Sequence, residues 1–195
     1  MSIVFENVLK MYNGTVVLQN VNLTLKNGVF TLRGASGAGK TTFLRLIADL
    51  EKPDAGTVCR DGAVVSYAFQ EPRLFPQLTV SENILAVSPE QPDGEILAAL
   101  GLSQASGKYP HELSGGMKKR AGLARALSVD ADIYLLDEPT SGQDPAHAEL
   151  ILAAILRYTA GKLTLIATHD EIFRRALHGK TIDIESTSVV LNDND

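Results

Sequence analysis

The sequence predicts an α/β fold in which a mostly parallel core sheet carries a helical insertion. A short apolar strand runs directly into a glycine-rich loop that a helical pattern follows, which is typical of this class. Two further apolar runs, residues 133–136 and 163–167, end in polar residues, as strands buried on both faces of a parallel sheet do. The chain has 195 residues, so residues 1–195 are expected to form a single domain.

Strands are expected to dominate the first third of the chain. Alternating apolar and polar residues, with turn signals at Asn27-Gly28 and Asp61-Gly62, predict their positions. The expected strands are residues 16–25, 29–32, 57–59 and 63–69. Between the second and the third, residues 41–50 carry apolar side chains at helical spacing.

An inserted helical lobe is expected at about residues 71–128. Prolines punctuate short helical stretches here, and Thr79 and Glu82 have the spacing of a capping box. Beyond the lobe, the pattern predicts the strand at 133–136, a helix at 146–158 and the strand at 163–167. A short helix and a last strand near 181–184 follow.

The glycine-rich loop predicts ATP binding. It consists of Gly34, Ala35, Ser36, Gly37, Ala38, Gly39, Lys40, Thr41 and Thr42. The glycines let the backbone direct several N–H groups at one point, and the following helix adds the positive end of its dipole. Lys40 can reach the β- and γ-phosphates, and the Thr41 hydroxyl can bind Mg²⁺. The alternative is a glycine-rich turn that happens to precede a lysine, but the full motif in its expected context argues against it.

An acidic pair, Asp137 and Glu138, closes the strand at 133–136. Parallel sheets present this end of a strand to ligands. One carboxylate can hold Mg²⁺ through water, and the next can polarise a water aimed at the γ-phosphate. Alone, the pair could equally be surface acids that cap a strand. Beside the phosphate-binding loop, it is expected to be functional.

A second place suited to phosphate lies at the start of the helical stretch 117–127. Ser114 is a natural N-cap, and Gly115 and Gly116 leave the first N–H groups of the helix uncovered. Spacing alone favours an ordinary capped helix as the interpretation.

Composition narrows the classes of partner. Eighteen basic and 23 acidic residues give a net charge of -5, so nucleic acid is not expected as a partner. Cys59 is the only cysteine, so no disulfide can form within the chain, in agreement with a reducing compartment. The longest apolar runs, such as residues 150–156, are far shorter than the about 20 residues that cross a bilayer. Any membrane span is therefore expected in other chains.

The order of these motifs resembles the ATP-binding subunits of ABC transporters, in particular stand-alone importer-like subunits of bacteria. The resemblance spans residues 3–184. The motifs that carry it are the Walker A loop at 34–42, Gln70 of the Q-loop, the signature Leu113-Ser114-Gly115-Gly116, the Walker B strand ending at Asp137 with the adjacent Glu138, the D-loop Ser141-Gly142-Gln143-Asp144 and His169 of the H-loop. It implies a P-loop NTPase of the ABC type, with an antiparallel β subdomain and a small helical signature subdomain beside the core sheet.

The resemblance implies roles around the nucleotide. Tyr12 would stack on the adenine, although a core tyrosine is the alternative. Lys40, Gln70, Glu138 and His169 would form the catalytic set. Glu138 would be the general base and His169 would contact the γ-phosphate. Thr41, Gln70 and Asp137 would hold Mg²⁺.

The resemblance also implies partners. Ser114, Gly115 and Gly116 would bind the ATP that the opposite subunit holds, and Asp144 would support the dimer contact. The second subunit would be another copy of this chain or a homologous cassette. Transmembrane permease subunits, joined in some systems by a solute-binding protein, would import a small solute. The protein would be cytoplasmic and peripheral on the inner face of the cell membrane.

Two positions depart from the family pattern. Met117 stands where many members carry Gln, and Gln143 replaces the usual apolar residue of the D-loop. Neither change removes a group that the chemistry needs, so ATPase activity is expected.

Two other functions remain as alternatives. One is a soluble ABC ATPase of DNA repair or of the ribosome, but such proteins carry a coiled-coil insertion or two cassettes in one chain. The other is a P-loop kinase for a small molecule, against which the signature and the H-loop argue.

Overall fold

The computed structural model describes residues 1–90, 94–177, 179–185 and 187–192. The strands are β1 (Ser2–Tyr12), β2 (Thr15–Lys26), β3 (Gly28–Arg33), β4 (Ala55–Cys59), β5 (Val65–Ala68), β6 (Ile133–Asp137), β7 (Leu163–Ala167), β8 (Lys180–Glu185) and β9 (Ser188–Asn192). The helices are α1 (Lys40–Ile47), α2 (Val80–Leu85), α3 (Gly94–Ala99), α4 (Gly115–Leu127), α5 (Pro145–Tyr158) and α6 (Glu171–Ala176). Two short 3₁₀ turns, Ser103–Ala105 and Pro110–Glu112, precede α4.

The core sheet has the spatial order β5-β6-β7-β3-β8-β9. Its neighbouring strands run parallel except for the last pair, β8 and β9, which is antiparallel. In β6, Ile133 and Leu135 pack into one hydrophobic cluster while Tyr134 and Leu136 pack into another. Both faces of the sheet are therefore covered, which explains why β6 reads as a continuous apolar run.

A second sheet, antiparallel and of order β2-β1-β4, packs beside the core sheet. Its buried residues share a hydrophobic cluster with α1, and the rings of Phe5 and Phe43 stack with centroids 4.7 Å apart. The small sheet thus buttresses the helix that follows the glycine-rich loop. The predicted fold class, with a mostly parallel core sheet and an antiparallel β subdomain, is confirmed.

Two strands were not expected. The sequence predicted neither β1 nor β9. In β1, register shifts separate the pairings of Phe5, Val8 and Lys10, so the apolar residues lose the period of two that marks a strand. The turn at Asp61-Gly62 joins two strands of different sheets, since β4 lies in the small sheet and β5 in the core sheet.

Between β5 and β6 the described chain forms only helices, 3₁₀ turns and loops. The predicted capping box at the start of α2 is present: Thr79 Oγ1 accepts from the Glu82 N–H, and the Glu82 carboxylate accepts from the Thr79 N–H. The extent of the insertion as a subdomain, about 71–128, stays a prediction. Residues 91–93 within it lie outside the described residues.

One buried asparagine, Asn83 in α2, organises the segment that follows β5. Its side chain is completely buried, and its Oδ1 accepts from the Phe75 N–H at 2.8 Å. Its Nδ2 donates to the carbonyl oxygens of Phe75, Leu78 and Thr79 at 3.2, 3.0 and 2.9 Å. A single side chain therefore closes the loop that connects the core sheet to the helices.

Replacing Asn83 with Ala is expected to lower the free energy of unfolding by about 3 kcal/mol, because partly buried backbone groups of Phe75, Leu78 and Thr79 lose their hydrogen-bond partner. Urea unfolding followed by circular dichroism measures this change. The control is Gln104→Ala, which removes an exposed amide and is expected to change stability by less than about 0.5 kcal/mol. Equal unfolding midpoints for the two variants would contradict the role given to Asn83.

Candidate functional site

Three neighbouring parallel strands, β6, β7 and β3, bring the predicted site residues to one edge of the core sheet. The glycine-rich loop follows β3, Asp137 ends β6, and His169 follows β7. A cleft of about 650 Å³ opens at this edge. It is lined by Tyr12, Val17, Ser36, Gly37, Gly39, Lys40, Thr41, Thr42, Gln70, Asp137, Glu138, Thr140, Ser141, His169 and Asp170. Residues far apart in the sequence therefore line one cavity. Ligand sites of open α/β sheets lie in this position, at the carboxyl ends of the strands.

Glycine is required in the loop for steric reasons. Gly39 has a φ of 106° at the N-cap of α1, and a Cβ there would lie 2.8 Å from Cγ1 of Val17. At Gly34 a Cβ would clash with the carbonyl oxygen of Ile184 in β8. The loop therefore packs against both sheets and directs the first N–H groups of α1 into the cleft, where they suit an anion.

Lys40 lies at the centre of this loop and is 7% exposed. Its Nζ donates to the carbonyl oxygens of Gly34 at 2.7 Å and Ala35 at 2.9 Å. Burial lowers the pKa of Lys40, and the neighbouring carboxylates of Glu138 and Asp137 oppose that shift. The side chain thus supplies a desolvated cation at the mouth of the loop, where it is well placed for a phosphate.

The Thr41 hydroxyl and the Asp137 carboxylate lie together beside the glycine-rich loop. The Thr41 hydroxyl donates to Asp137 Oδ2 at 2.9 Å, and the Tyr67 hydroxyl lies 3.4 Å from the same oxygen as a second donor. Burial raises the pKa of Asp137, and these hydrogen bonds oppose that rise. Burial also raises the pKa of Tyr67, so its hydroxyl keeps its proton and acts as a donor.

Glu138 has a strained backbone and a buried carboxylate oxygen. Its φ is 52°, a left-handed conformation, and its N–H donates to the carbonyl oxygen of Ala167 at 2.8 Å. His169 Nε2 lies 3.3 Å from Glu138 Oε1 and 3.2 Å from Lys40 Nζ, so it is within reach of both groups. Apart from this contact with His169, Oε1 is buried and has no hydrogen-bond partner among the described residues, while Glu138 itself lines the cleft.

Tyr12 stands at the rim of the cleft and is 40% exposed. Its hydroxyl hydrogen-bonds to Glu51, which in turn pairs with Arg45 at 3.1 Å, and it lies 3.5 Å from Thr42 Oγ1. Burial and the hydrogen bond to Glu51 raise the pKa of Tyr12. The ring is thus anchored at its hydroxyl end while remaining accessible, so it is not a core tyrosine.

The predicted signature residues lie outside the lining of this cleft. Ser114 is the N-cap of α4, and its Oγ accepts from the Met117 N–H at 3.2 Å. Asp144 likewise caps α5, accepts from the His147 N–H at 3.0 Å and pairs with His147 Nδ1 at 2.6 Å. Ser114 and Asp144 therefore lie at the starts of two helices and do not line the cleft.

Sequence reasoning missed several lining residues. Thr140 follows the acidic pair, and its place so close to it was a usable signal, while Ser141 was named only as part of the D-loop and not as a lining residue. Tyr67, in β5, does not line the cleft itself but was also missed, since its approach to Asp137 depends on the pairing of β5 with β6. Gly34, Ala35 and Ala38 belong to the loop without lining the cleft.

Comparison with known proteins places these features in a family. A family model described as ABC transporter matches residues 18–141. The probable sulfate/thiosulfate import ATP-binding protein CysA of Chlorella vulgaris is 34% identical over 213 residues, which cover 97% of this chain and 90% of that protein. The L-cystine transport system ATP-binding protein TcyN of Escherichia coli (strain K12) is 33% identical, with 95% and 87% covered.

A similar solved structure is a dimeric ATP-binding cassette in a post-hydrolysis state bound to ADP and Pi. It superimposes with a TM-score of 0.84 at 28% sequence identity and covers 96% of both chains. The likeness extends over both sheets and the helices between them, so it concerns the whole described fold rather than the nucleotide loop alone.

Proposed function

The chain belongs to the ABC transporter family, and we propose that it is the ATP-binding and ATP-hydrolysing subunit that powers import of a small solute. The observation that carries this proposal is the meeting of the phosphate-binding loop, Asp137, Glu138 and His169 in one cleft. Family members of this kind are ATPases, and the relatives named above are subunits of import systems for sulfate or thiosulfate and for cystine.

Within this cleft we assign the chemistry as follows. The loop N–H groups and Lys40 bind the β- and γ-phosphates, and Tyr12 stacks on the adenine. Glu138 is the general base, because it lines the cleft next to His169, close to where the γ-phosphate and its attacking water would lie. His169 Nε2, which lies between Lys40 and Glu138, contacts the γ-phosphate.

We also propose Mg²⁺ as the cofactor, held by Thr41, Asp137 and Gln70. Thr41 Oγ1 and Asp137 Oδ2 are 2.9 Å apart, so two oxygen ligands of the kind Mg²⁺ prefers already lie together. No cluster of three or more His, Cys, Asp or Glu in the described ranges could hold a metal by itself, so nucleotide phosphates would complete the coordination. When bound, the ion would neutralise charge on the phosphates.

The signature residues Ser114, Gly115 and Gly116 are assigned to the ATP held by a second subunit, with Asp144 at the dimer contact. Gly115 supports this assignment. A Cβ on Gly115 would meet no atom of the described residues within 4 Å and its φ is not left-handed, so nothing in the described part of its own chain requires glycine there. The presence of glycine at this position is explained if a phosphate of another subunit approaches this helix start closely.

Gly115→Ala is therefore expected to leave the free energy of unfolding unchanged, or to raise it by up to about 1 kcal/mol. ATP-dependent dimerisation is expected to weaken at least about tenfold, because the methyl group would hold the phosphate away from the N–H groups. Sedimentation velocity with ATP and urea unfolding measure the two effects. Gly107→Ala is the control, since a Cβ there also meets no atom within 4 Å. Native dimerisation of Gly115→Ala would refute the assignment.

The membrane partners are proposed to be permease subunits, with a solute-binding protein in systems that use one. In the described ranges no helix combines the length and apolar character that crossing a membrane requires. We propose a peripheral position on the inner face of the cell membrane. We also propose that residues at about 71–128 form the helical signature subdomain.

A direct test is ATP turnover by the purified chain with Mg²⁺, measured against protein concentration. Two subunits sharing each site predict that turnover per chain rises with concentration, and that reconstitution with a permease increases it. Turnover that depends instead on DNA or on a small phosphate acceptor, without a membrane partner, would favour one of the two alternative functions.

A further inference from the structure

The D-loop residue Gln143 departs from the apolar residue usual at its position, and the structure gives it two specific partners. Its Oε1 accepts from Arg120 Nη1 in α4 at 2.7 Å. Its Nε2 donates to the carbonyl oxygen of Gly116 in the first turn of the same helix at 3.2 Å. One amide therefore connects the D-loop to the signature motif within a single chain.

The absence of a side chain at Gly116 makes room for this amide. A Cβ on Gly116 would lie 3.3 Å from Gln143 Oε1 and 3.5 Å from Nε2. A second contact joins the D-loop to α4: Lys119 Nζ donates to the carbonyl oxygen of Ser141 at 2.8 Å. The D-loop and the start of α4 are thus held together by three hydrogen bonds that involve side chains.

Arg120 makes the contact costly to lose. The residue is only 6% exposed, and burial lowers the pKa of its guanidinium. Its Nε has no hydrogen-bond partner among the described residues, so Gln143 supplies a needed acceptor. An apolar residue at 143 would leave this buried cation less satisfied, which is expensive in a protein interior.

We propose that Gln143 is a positioning residue that joins the D-loop and the signature into one rigid unit facing the partner subunit. It acts through Gly116, whose N–H group must point at the partner's ATP, and it holds that turn at a set distance from Asp144. This inference rests on the proposed function, since it presumes that the signature binds ATP in a dimer.

The test uses the full chain with Glu138→Gln, so that ATP is not consumed. Gln143→Met keeps the length of the side chain and removes both hydrogen bonds. We expect about tenfold weaker ATP-dependent dimerisation in sedimentation velocity. The affinity of the monomer for a fluorescent ATP analogue should change less than about twofold, because Gln143 does not line the cleft.

The double variant Arg120→Met with Gln143→Met separates positioning from simple stability. Removing both partners leaves no buried guanidinium unsatisfied, so the unfolding midpoint in urea should recover toward that of the parent chain. Dimerisation should stay about tenfold weaker, because Gly116 still lacks its partner. This variant also carries the test if Gln143→Met alone fails to fold.

The outcomes are distinct. Native dimerisation in Gln143→Met, or its recovery in the double variant, would overturn the positioning role while leaving the proposed function intact. A changed nucleotide affinity of the monomer would overturn it as well, because Gln143 would then act on its own site. If the Glu138→Gln parent stays monomeric with ATP, the proposed function fails and the inference falls with it.

Discussion

Glu138→Gln is expected to lower ATP turnover by about 10²- to 10⁴-fold while ATP binding persists. The amide keeps the size of the side chain but cannot take the proton that the proposed general base would accept. Because the γ-phosphate then stays intact between the subunits, the chain is expected to accumulate as a closed dimer with ATP.

Two measurements check this expectation: phosphate release for turnover, and size-exclusion chromatography with light scattering for the dimer. Glu149→Gln is the matched control, because Glu149 is an exposed residue of α5 outside the cleft and should behave as the parent chain. If the Glu138→Gln chain stays monomeric in saturating ATP, the proposal that two subunits share each ATP site is contradicted. If its turnover equals that of the parent chain, Glu138 is not the general base.

Lys40→Ala is expected to weaken ATP binding itself by about 10- to 100-fold. A hydrogen bond to a charged group contributes about 1.5–3 kcal/mol, and tenfold in affinity corresponds to about 1.4 kcal/mol. The variant also loses the bonds from Lys40 Nζ to Gly34 and Ala35, so the loop is held less firmly. The dimerisation that depends on ATP should disappear at nucleotide concentrations that saturate the parent chain.

Isothermal titration calorimetry of the monomer with ATP measures this loss. Lys26→Ala provides the comparison, since it removes an exposed lysine of β2 and should leave the affinity unchanged. Urea unfolding shows whether the Lys40→Ala chain is folded at the temperature of the titration. Unchanged ATP affinity in a folded Lys40→Ala chain would count against the assignment of the loop.

The phosphate-binding loop and the helix starts could be predicted because their geometry depends on neighbouring residues. The capping box at Thr79 and the N-cap at Ser114 have the hydrogen bonds that their spacing predicts. A cap joins a side chain to a backbone N–H only three residues away, so sequence spacing largely determines whether it can form. The same holds for a loop whose shape is set by its own glycines.

Strands without a regular pattern could not be predicted in this way. In β1 the bulges break the alternation of buried and exposed residues, and the strand is stabilised by pairing with β2 and β4 instead. β9 is a short strand whose pairing with β8 gives it a place in the core sheet. Both strands depend on partners that local spacing does not reveal.

The sequence by itself determined the phosphate-binding loop, the acidic pair and the family, because each is a matter of residue types at short spacing. Only the tertiary structure decided that Tyr67 reaches Asp137, that His169 stands between Lys40 and Glu138, and that Gln143 holds Gly116. These contacts join residues between 27 and 129 positions apart. Strand order and helix packing bring such residues together, and the residue spacing within a single segment predicts neither of them.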